Sequence, residues 1–386
     1  MVVNMFNQPR VQKLASFFAP DFEVRPAGGC VRDHLLGKPH KDLDFCTNAT
    51  PDQMLALADK HNVRVLPTGL DHGTVTFMVD GEPFEVTTLR VDVACDGRHA
   101  QVAWTQSWKE DAARRDLTIN AMMMDMQGNL FDWFGGQEDL KNGVVRFVGN
   151  AEDRVREDFL RVLRFFRFAN KFDRVPVFCE QGLAACEKLR EGLRSVSAER
   201  VWAEMSKVLV GQHADRVLQE MARVGVLDVL GFPSTTQAVL KGDSARRCGG
   251  TPAQVLGAMM QDSVEDVDML CRSLKMSNVE RAEAVWAAND KLTNFQVVLA
   301  DFEDALVNGT NRQWVVWAAK TRMRFDWASH LTSWDVPQFP VSGKHLLDAG
   351  MKPGPAMGVR LMQLRHHWMV NRFQPSVDEL MALPPV

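Results

Sequence analysis

The densest chemistry in the sequence lies between Gly28 and Asp44, where Gly28-Gly29-Cys30-Val31-Arg32-Asp33 is followed by Lys41-Asp42-Leu43-Asp44. Leu43 and Phe45 flank Asp44 in apolar–polar alternation, which reads as a strand. Side chains two apart on a strand share a face, so Asp42 and Asp44 form a pair of carboxylates that repel each other. A divalent cation relieves that repulsion, and hard oxygen donors suit Mg²⁺. Two such ions can clamp the attacking hydroxyl and the leaving pyrophosphate of a nucleotidyl transfer. Glu85, on the strand that returns after Asp80-Gly81, is the candidate third carboxylate. It could reach the same ions and assist in removing the proton of the attacking hydroxyl. Gly28 and Gly29 are expected to leave backbone N–H groups bare at a helix start, an anion cradle suited to a triphosphate. Arg32, one turn on, can add a charge-assisted contact. An Asp-x-Asp pair alone is common on strands, and Gly-Gly before a helix is often only a turn. Their occurrence together and in this order points to metal-assisted chemistry. The spacing is not that of a Walker loop, since no Gly-x-x-x-x-Gly-Lys-Ser/Thr is present.

The elements that must position these residues can be read from periodicity. Residues 22–26 form a short strand, and Val31 to Leu36 a helix that Gly37 ends. Thr50-Pro51 is an N-cap followed by Pro at the first helical position, starting a helix over about 52–60. Gly73 to Val79 alternates, Asp80-Gly81 is a hairpin turn, and Phe84 to Leu89 is the partner strand. Residues 91–108 read as a polar, irregular, mobile loop. The result is a small mixed sheet with helices on one side. After about residue 150 the pattern becomes helical, over 151–171, 179–191, 197–210 and 214–224. No convincing alternating strand follows. The expected class is α+β: a head over 1–150, a helical neck over 151–225, and a helical body and tail over 226–386.

Bulk properties bound the functions. A chain of 386 residues implies roughly two to four domains. A formal net charge of −4 argues against a protein that coats nucleic acid indiscriminately, but a nucleic-acid enzyme needs only a local basic surface. The seven cysteines are scattered without a Cys-x-x-Cys, so a reducing compartment is expected, not a zinc site or disulfide framework. Met1 to Pro20 has no apolar core of signal-peptide length and too few basic residues for a convincing transit peptide. No apolar run is long enough for a membrane span. A cytoplasmic location is expected, or a mitochondrial one in a eukaryote. Tyrosine is absent beside ten tryptophans and 22 phenylalanines, for which there is no physical account.

Taken together, Gly28 to Asp44 resembles the signature of the class II nucleotidyltransferases of the polymerase β superfamily, which include CCA-adding enzymes and bacterial poly(A) polymerases. Four further stretches agree in order. Asp96 to Ala100 resembles the flexible loop, and Arg114 to Ala121 the ribose-recognition motif. Glu157-Asp158-Phe159-Leu160-Arg161 resembles the nucleotide-selecting motif. Ser197-Ala198-Glu199-Arg200 resembles the helix-stabilising motif. Phe339 to Gly343 and Lys352 to Pro355 are similar to the C-terminal part of CCA-adding enzymes. Thr88 to Phe168 looks closest to the mitochondrial and alphaproteobacterial type, and the resemblance is weak across about 225–330. Phe159 and Trp133 stand where relatives commonly carry Tyr, which spares the charged machinery.

The resemblance implies addition of C and A without a template, with Mg²⁺, CTP, ATP and a tRNA lacking its complete CCA end. The residues support this physically. Glu157, Asp158 and Arg161 fall on one predicted helix, where Asp158 and Arg161 are surface neighbours. A carboxylate accepts from an exocyclic amine and a guanidinium donates to ring acceptors. Cytosine and adenine both present an amine beside a ring-nitrogen acceptor, whereas uracil and guanine reverse that order. Glu157 can hold Arg161 through an i,i+4 pair. The resemblance also assigns Arg164 and Arg167, with Arg115, to the nucleotide. Without it, a solvated, salt-bridged face is an equal reading. Arg115, Asp116, Thr118 and Asn120 are expected on a helix whose polar face meets ribose and phosphates. Trp133, Phe134, Phe165, Phe166 and Phe168 are expected in the core. In the tail, Arg312, Lys320, Arg322, Arg324, Lys344, Lys352, Arg360 and Arg365 are candidates for tRNA phosphate contacts. His366-His367 has no metal-ligand pattern. The intact 91–108 segment favours complete CCA addition, because relatives that add only CC often have it altered. CC-only, A-only or poly(A) addition are the alternatives within the family. A non-catalytic RNA-binding module, or a phosphatase or nuclease, are those outside it.

Overall fold

Residues 8–39, 43–66, 69–96, 99–261, 263–289 and 297–384 are described by a computed structural model, with 92–96 and 99–101 described by backbone alone. Asp42 lies outside the described residues. The first helix, Pro9–Phe18 (α1), starts on a proline and buries Val11, Leu14, Phe17 and Phe18. After it come a short strand, Val24–Pro26 (β1), and a helix, Gly29–Leu35 (α2). The strand Asp44–Thr47 (β2) leads into Pro51–Lys60 (α3). The start of α3 is a capping box, in which Thr50 Oγ1 accepts from the Gln53 N–H and Gln53 Oε1 accepts from the Thr50 N–H. Val65–Leu66 (β3), Thr74–Val79 (β4) and Glu82–Thr88 (β5) complete a sheet of order β1-β2-β5-β4-β3. Only the β2–β5 pairing in it is parallel, so the sheet is mixed as expected.

Strand alternation sorts the sheet into two faces. Phe45, Val75, Phe77, Val79, Phe84 and Val86 pack with the apolar stripes of α1 and α3. Asp44, Cys46, Glu85 and Thr76 belong to the opposite face by alternation. There Cys46 packs in a separate cluster with Ala112 of a further helix, Trp108–Ala113 (α4). Helices therefore meet both faces, in place of the one side expected.

Two further expectations are corrected. The segment expected as an irregular loop holds a hairpin, Arg90–Asp96 (β6) paired antiparallel with His99–Trp104 (β7), followed by α4. Residues 114–120 are not one helix: α4 ends at Ala113, and Thr118–Asn120 is a single 3-10 turn. Asp116 begins the stop, accepting the Leu117 N–H on its own carboxylate at 2.8 Å, a local bond that competes with helix. Met123–Met124 (β8) pairs with Leu130–Phe131 (β9), and Gly136–Asn142 (α5) follows.

Beyond the head, Val144–Val145 (β10) pairs in parallel with Val177–Phe178 (β11) across the helices Ala151–Glu157 (α6) and Leu160–Phe168 (α7). The expected single helix over 151–171 is thus broken at Asp158, whose backbone is extended. Glu180–Leu189 (α8) and Ala198–Leu209 (α9) close the neck, and the described residues after Phe178 hold helices and no strand. One apolar cluster runs without interruption from Cys30 and Val31 through Phe165 and Phe166 to Leu331. The tail has its own, around Val341, Leu346, Leu364, Trp368 and Leu380, with Trp334 and Val336 packed against both. Among the described residues no helix is long and apolar enough to cross a membrane.

The α5 helix seats the 3-10 turn. Thr118 Oγ1 donates to Asp139 Oδ2 at 2.7 Å, and a Cβ on Gly136 would lie 2.2 Å from the Thr118 carbonyl oxygen. Gly136→Ala is therefore expected to push the turn away from α5 and to cost about 1–3 kcal/mol, read as a lower denaturant midpoint at unchanged slope.

Candidate nucleotidyl-transfer site

The cleft between head and neck has a volume of about 520 Å³. Head residues Gly28, Gly29, Arg32, Asp33, Asp44, Arg114, Arg115, Asp116 and Asn120 line one side, and Asp158, Arg161, Arg164, Arg167, Phe168 and Lys171 the other. Asp44 opens β2 and is directly opposite Glu85 on β5 in the parallel register. Both are exposed, and adjacent residues on paired strands project to one face, so the two carboxylates stand side by side. The Asp44 carbonyl accepts the Ala27 N–H at 3.0 Å, which ties the strand to the start of α2. No group of three metal-ligating side chains occurs among the described residues. Asp44 and Glu85 supply carboxylate oxygens only, a donor chemistry that fits a hard divalent ion.

The glycine pair behaves differently from expectation. The Gly28 N–H is not bare, since it donates to the Met122 carbonyl at 2.9 Å. Gly28 serves instead through its shape. Its φ is +75°, and a Cβ there would lie 2.7 Å from Nη1 of Arg115. The glycine leaves room for a guanidinium under the loop.

The arginines are held by a continuous network. Arg32, at 4% exposure, donates to Asp33 at 2.7 Å and to Asn120 Oδ1 at 2.6 Å. Asn120 Nδ2 donates to Asp116 Oδ1 at 3.0 Å, and Arg164 Nε donates to Asp116 Oδ2 at 2.7 Å. Arg32, Arg164 and Arg167 all lie over the ring of Phe168, Arg167 at 4.2 Å from its centroid. Arg167 is also paired with the buried Glu204 of α9. Arg115 Nη2 is 3.1 Å from Asp111 Oδ2, and Arg114 Nε donates to Asp111 Oδ1 at 2.8 Å. Sequence reasoning passed over Asp111, although its i,i+3 and i,i+4 spacing to Arg114 and Arg115 is a legible pairing signal.

Burial by itself would raise both buried aspartates. For Asp116 this is overcome by the Arg164 guanidinium and by hydrogen bonds from Asn120, Arg164 and the Leu117 N–H, which hold the carboxyl below the usual carboxylate range. Arg115 and Arg114 do the same for Asp111. Burial pushes the Cys46 thiol beside Arg115 up to about 12, so it packs as a neutral group.

The expected Glu157–Arg161 pair is present, and Glu157 also holds Arg154. Arg161 donates further to the carbonyls of Arg154 at 3.0 Å and Arg114 at 3.2 Å. Asp158 is not on that helix face. It stands in the extended link between α6 and α7, accepting the Leu160 N–H on Oδ1 at 3.0 Å, while Arg200 Nη2 donates to Oδ2 at 2.7 Å. Both residues still line the cleft. A carboxylate has about four acceptor sites and a guanidinium five donors, so each keeps capacity for a base. Phe165 and Phe166 are fully buried and Phe168 nearly so, while Trp133 and Phe134 are partly buried. In the tail, several expected phosphate contacts are otherwise engaged. Arg312 donates to the Leu331 carbonyl, Arg322 to that of Ala318, Arg360 to those of Leu383 and Pro384, and Arg365 to that of Val307.

Residues 24–146 match the poly(A) polymerase head domain, and 180–238 match a probable RNA and SrmB-binding site of polymerase A. Zebrafish (Danio rerio) mitochondrial CCA tRNA nucleotidyltransferase 1 is 37% identical over 96% of this chain and 89% of its own. The chain belongs to the CCA tRNA nucleotidyltransferase family. The human (Homo sapiens) mitochondrial member is 35% identical over 95% of this chain and 87% of its own. The fold is that of a CCA-adding enzyme from Bacillus stearothermophilus solved in complex with CTP. The TM-score is 0.79 at 24% identity, over 97% of this chain and 96% of that one. Nucleotidyltransferases of this family generally use divalent metal ions.

The buried aspartates set an acid limit for this family member. Their folded-state values are depressed, so their stabilisation is complete above the unfolded value of about 3.9 and is lost as pH falls through the folded one. Asp116→Asn should cost about 1–3 kcal/mol at pH 7. It should also flatten the fall of stability below about pH 4, measured by denaturant titration across pH.

Proposed function

We propose that the chain adds C, C and A in turn to the 3′ end of a tRNA that lacks them, using CTP and ATP, with Asp42, Asp44 and Glu85 as the carboxylates of a Mg²⁺ centre. The observation that carries this reading is the side-by-side register of Asp44 and Glu85 at the rim of an arginine-lined cleft. The names of the zebrafish and human relatives support the substrate. When bound, Mg²⁺ supplies neutralisation of the phosphate charge and a lower pKa for the attacking hydroxyl. Asp44 and Glu85 orient the tRNA 3′ hydroxyl toward the α-phosphorus, and Glu85 can take its proton. A new phosphodiester bond forms and pyrophosphate leaves. Gly29, Arg32 and Asn120 hold the sugar–phosphate side, together with Arg115, Arg164 and Arg167, and Gly28 leaves the room that Arg115 occupies. Asp158 accepts from the exocyclic amine of cytosine or adenine and Arg161 donates to the ring nitrogen. Uracil and guanine would set acceptor against acceptor and donor against donor in a partly desolvated pocket. Residues 1–150 act as the catalytic head, 151–225 as the nucleotide-selecting neck, and 226–386 as the tRNA-binding body and tail. Scattered thiols support a reducing compartment, cytoplasmic or, in a eukaryote, mitochondrial.

The decisive experiment is extension of tRNA lacking its CCA end with each nucleotide separately and together, resolved to single nucleotides. CTP alone should add two residues, and CTP with ATP three. ATP-only growth into long tails would sink the reading in favour of a poly(A) polymerase. Asp44→Ala should lower addition by about 10³-fold or more with tRNA binding retained in a filter or gel-shift assay. Asp158→Ala should reduce discrimination of C over U by roughly 10–100-fold while chemistry continues. Unchanged discrimination would refute the proposed base reading.

A further inference from the structure

Seven cations line the cleft, and six of them are arginines already matched to a carboxylate. Arg32 is paired with Asp33, Arg114 and Arg115 share Asp111, and Arg161 has Glu157. Arg164 has Asp116, and Arg167 has Glu204. The seventh, Lys171, is in no ion pair or side-chain hydrogen bond among the described residues. The carboxylate that acts on it through space, Asp33, is already held by Arg32.

The backbone that carries Lys171 is fixed from two sides. Lys38 Nζ donates to the Lys171 carbonyl at 2.6 Å and is itself paired with Asp173 at 2.9 Å. The preceding residue, Asn170, accepts the His213 N–H at 2.9 Å. An ammonium is thus held in a polar cleft among like charges with no counter-ion of its own. Burial and the neighbouring Arg32 both hold it below the usual lysine range, so an arriving anion would relieve that destabilisation.

We infer that Lys171 is the polyphosphate-binding cation of the cleft, holding the β,γ end of the incoming nucleotide and then the pyrophosphate it releases. The six arginines share five carboxylates, so most of their charge is already compensated and they act mainly by shape and directed N–H groups. Lys171 is a point charge on a flexible stem, which suits a phosphate group that departs after each addition. The assignment rests on the nucleotidyl-transfer reading above and adds the residue that meets the leaving group.

The test uses the full-length protein and two variants, Lys171→Gln and Lys171→Arg. KM for CTP is measured with tRNA lacking CCA, and KM for ATP with tRNA ending in CC. Inorganic pyrophosphate is titrated by calorimetry in the presence of Mg²⁺. Lys171→Gln should raise both KM values and the pyrophosphate Kd by about tenfold each, as for one lost charge-assisted contact. Discrimination of C over U, KM for tRNA and the thermal midpoint should stay unchanged, and Lys171→Arg should restore most of the loss. Unaltered nucleotide KM and pyrophosphate Kd in Lys171→Gln would overturn the assignment. So would a rise confined to the KM for tRNA, which would place Lys171 on the RNA backbone. If the wild type added neither nucleotide but bound pyrophosphate in a Lys171-dependent way, the addition reading would fall and the subsite would stand.

Discussion

The Asp116 carboxylate is the joint on which the site depends. It leaves water on folding, and a desolvated carboxylate is costly unless its lone pairs are filled. They are filled from both sides of the molecule: the Leu117 N–H and Asn120 belong to the head, and Arg164 to the neck. The same bonds that keep Asp116 ionised therefore fix the angle between head and neck. Arg32 continues the chain through Asn120 to Asp33, so a displacement of α7 is felt at the glycine loop beside β2. Phe168 seals the arrangement, because its ring gives three guanidinium groups a common apolar floor.

Two different kinds of order meet in the cleft. The carboxylates Asp44 and Glu85 owe their proximity to backbone pairing, and both side chains are exposed. The arginines owe theirs to side-chain ion pairs. Helix α7 serves both the core and the cleft by being strictly two-faced: Val162, Leu163, Phe165 and Phe166 are fully buried while Arg161, Arg164 and Arg167 turn to the cleft. The core that holds this helix continues unbroken into the body, so the basic face is presented by a rigid element.

Much of this was legible in the sequence because the signals were local. The Asp80-Gly81 turn set the β4–β5 register and, with the alternation of β2, brought Glu85 beside Asp44. Thr50-Pro51 announced its cap, and the i,i+4 spacing of Glu157 and Arg161 announced their pair. What escaped was decided by contacts between distant segments or by competing local bonds. The apolar periodicity of Val155, Phe159 and Val162 runs straight across the break at Asp158. Asp also bonds nearby backbone N–H groups in place of helix, but that weaker signal was overridden by the period. The strands of 90–96 and 99–104 mix polar with small apolar residues, which reads as irregular even though Asp96-Gly97 offered a turn signal. The tail arginines looked free for phosphate. Arg312, Arg360 and Arg365 instead satisfy backbone carbonyls whose positions no sequence pattern reveals.

The break at Asp158 changes how the proposed base-reading pair must work. On an uninterrupted helix, the distance between Asp158 and Arg161 would be set by helical geometry alone and could not adapt to the base. Here Asp158 is anchored within the neck alone, and Arg161 in both the neck and the head. Asp158 is held by its bond from the Leu160 N–H and by Arg200, both in the neck, whereas Arg161 is additionally held by the Arg114 carbonyl of the head. Arg154 makes a parallel contact to the Ala113 carbonyl, so the C-terminal turn of α4 is the surface on which the neck rests. The separation of these two groups is then tied to the head–neck joint, and under the proposed base reading the Asp116 network would also set the geometry of base choice. Cytosine and adenine differ in the distance of their amine edge from the sugar. A site that reads both with one carboxylate and one guanidinium needs those groups on separately anchored elements, and the extended residue at Asp158 supplies that separation.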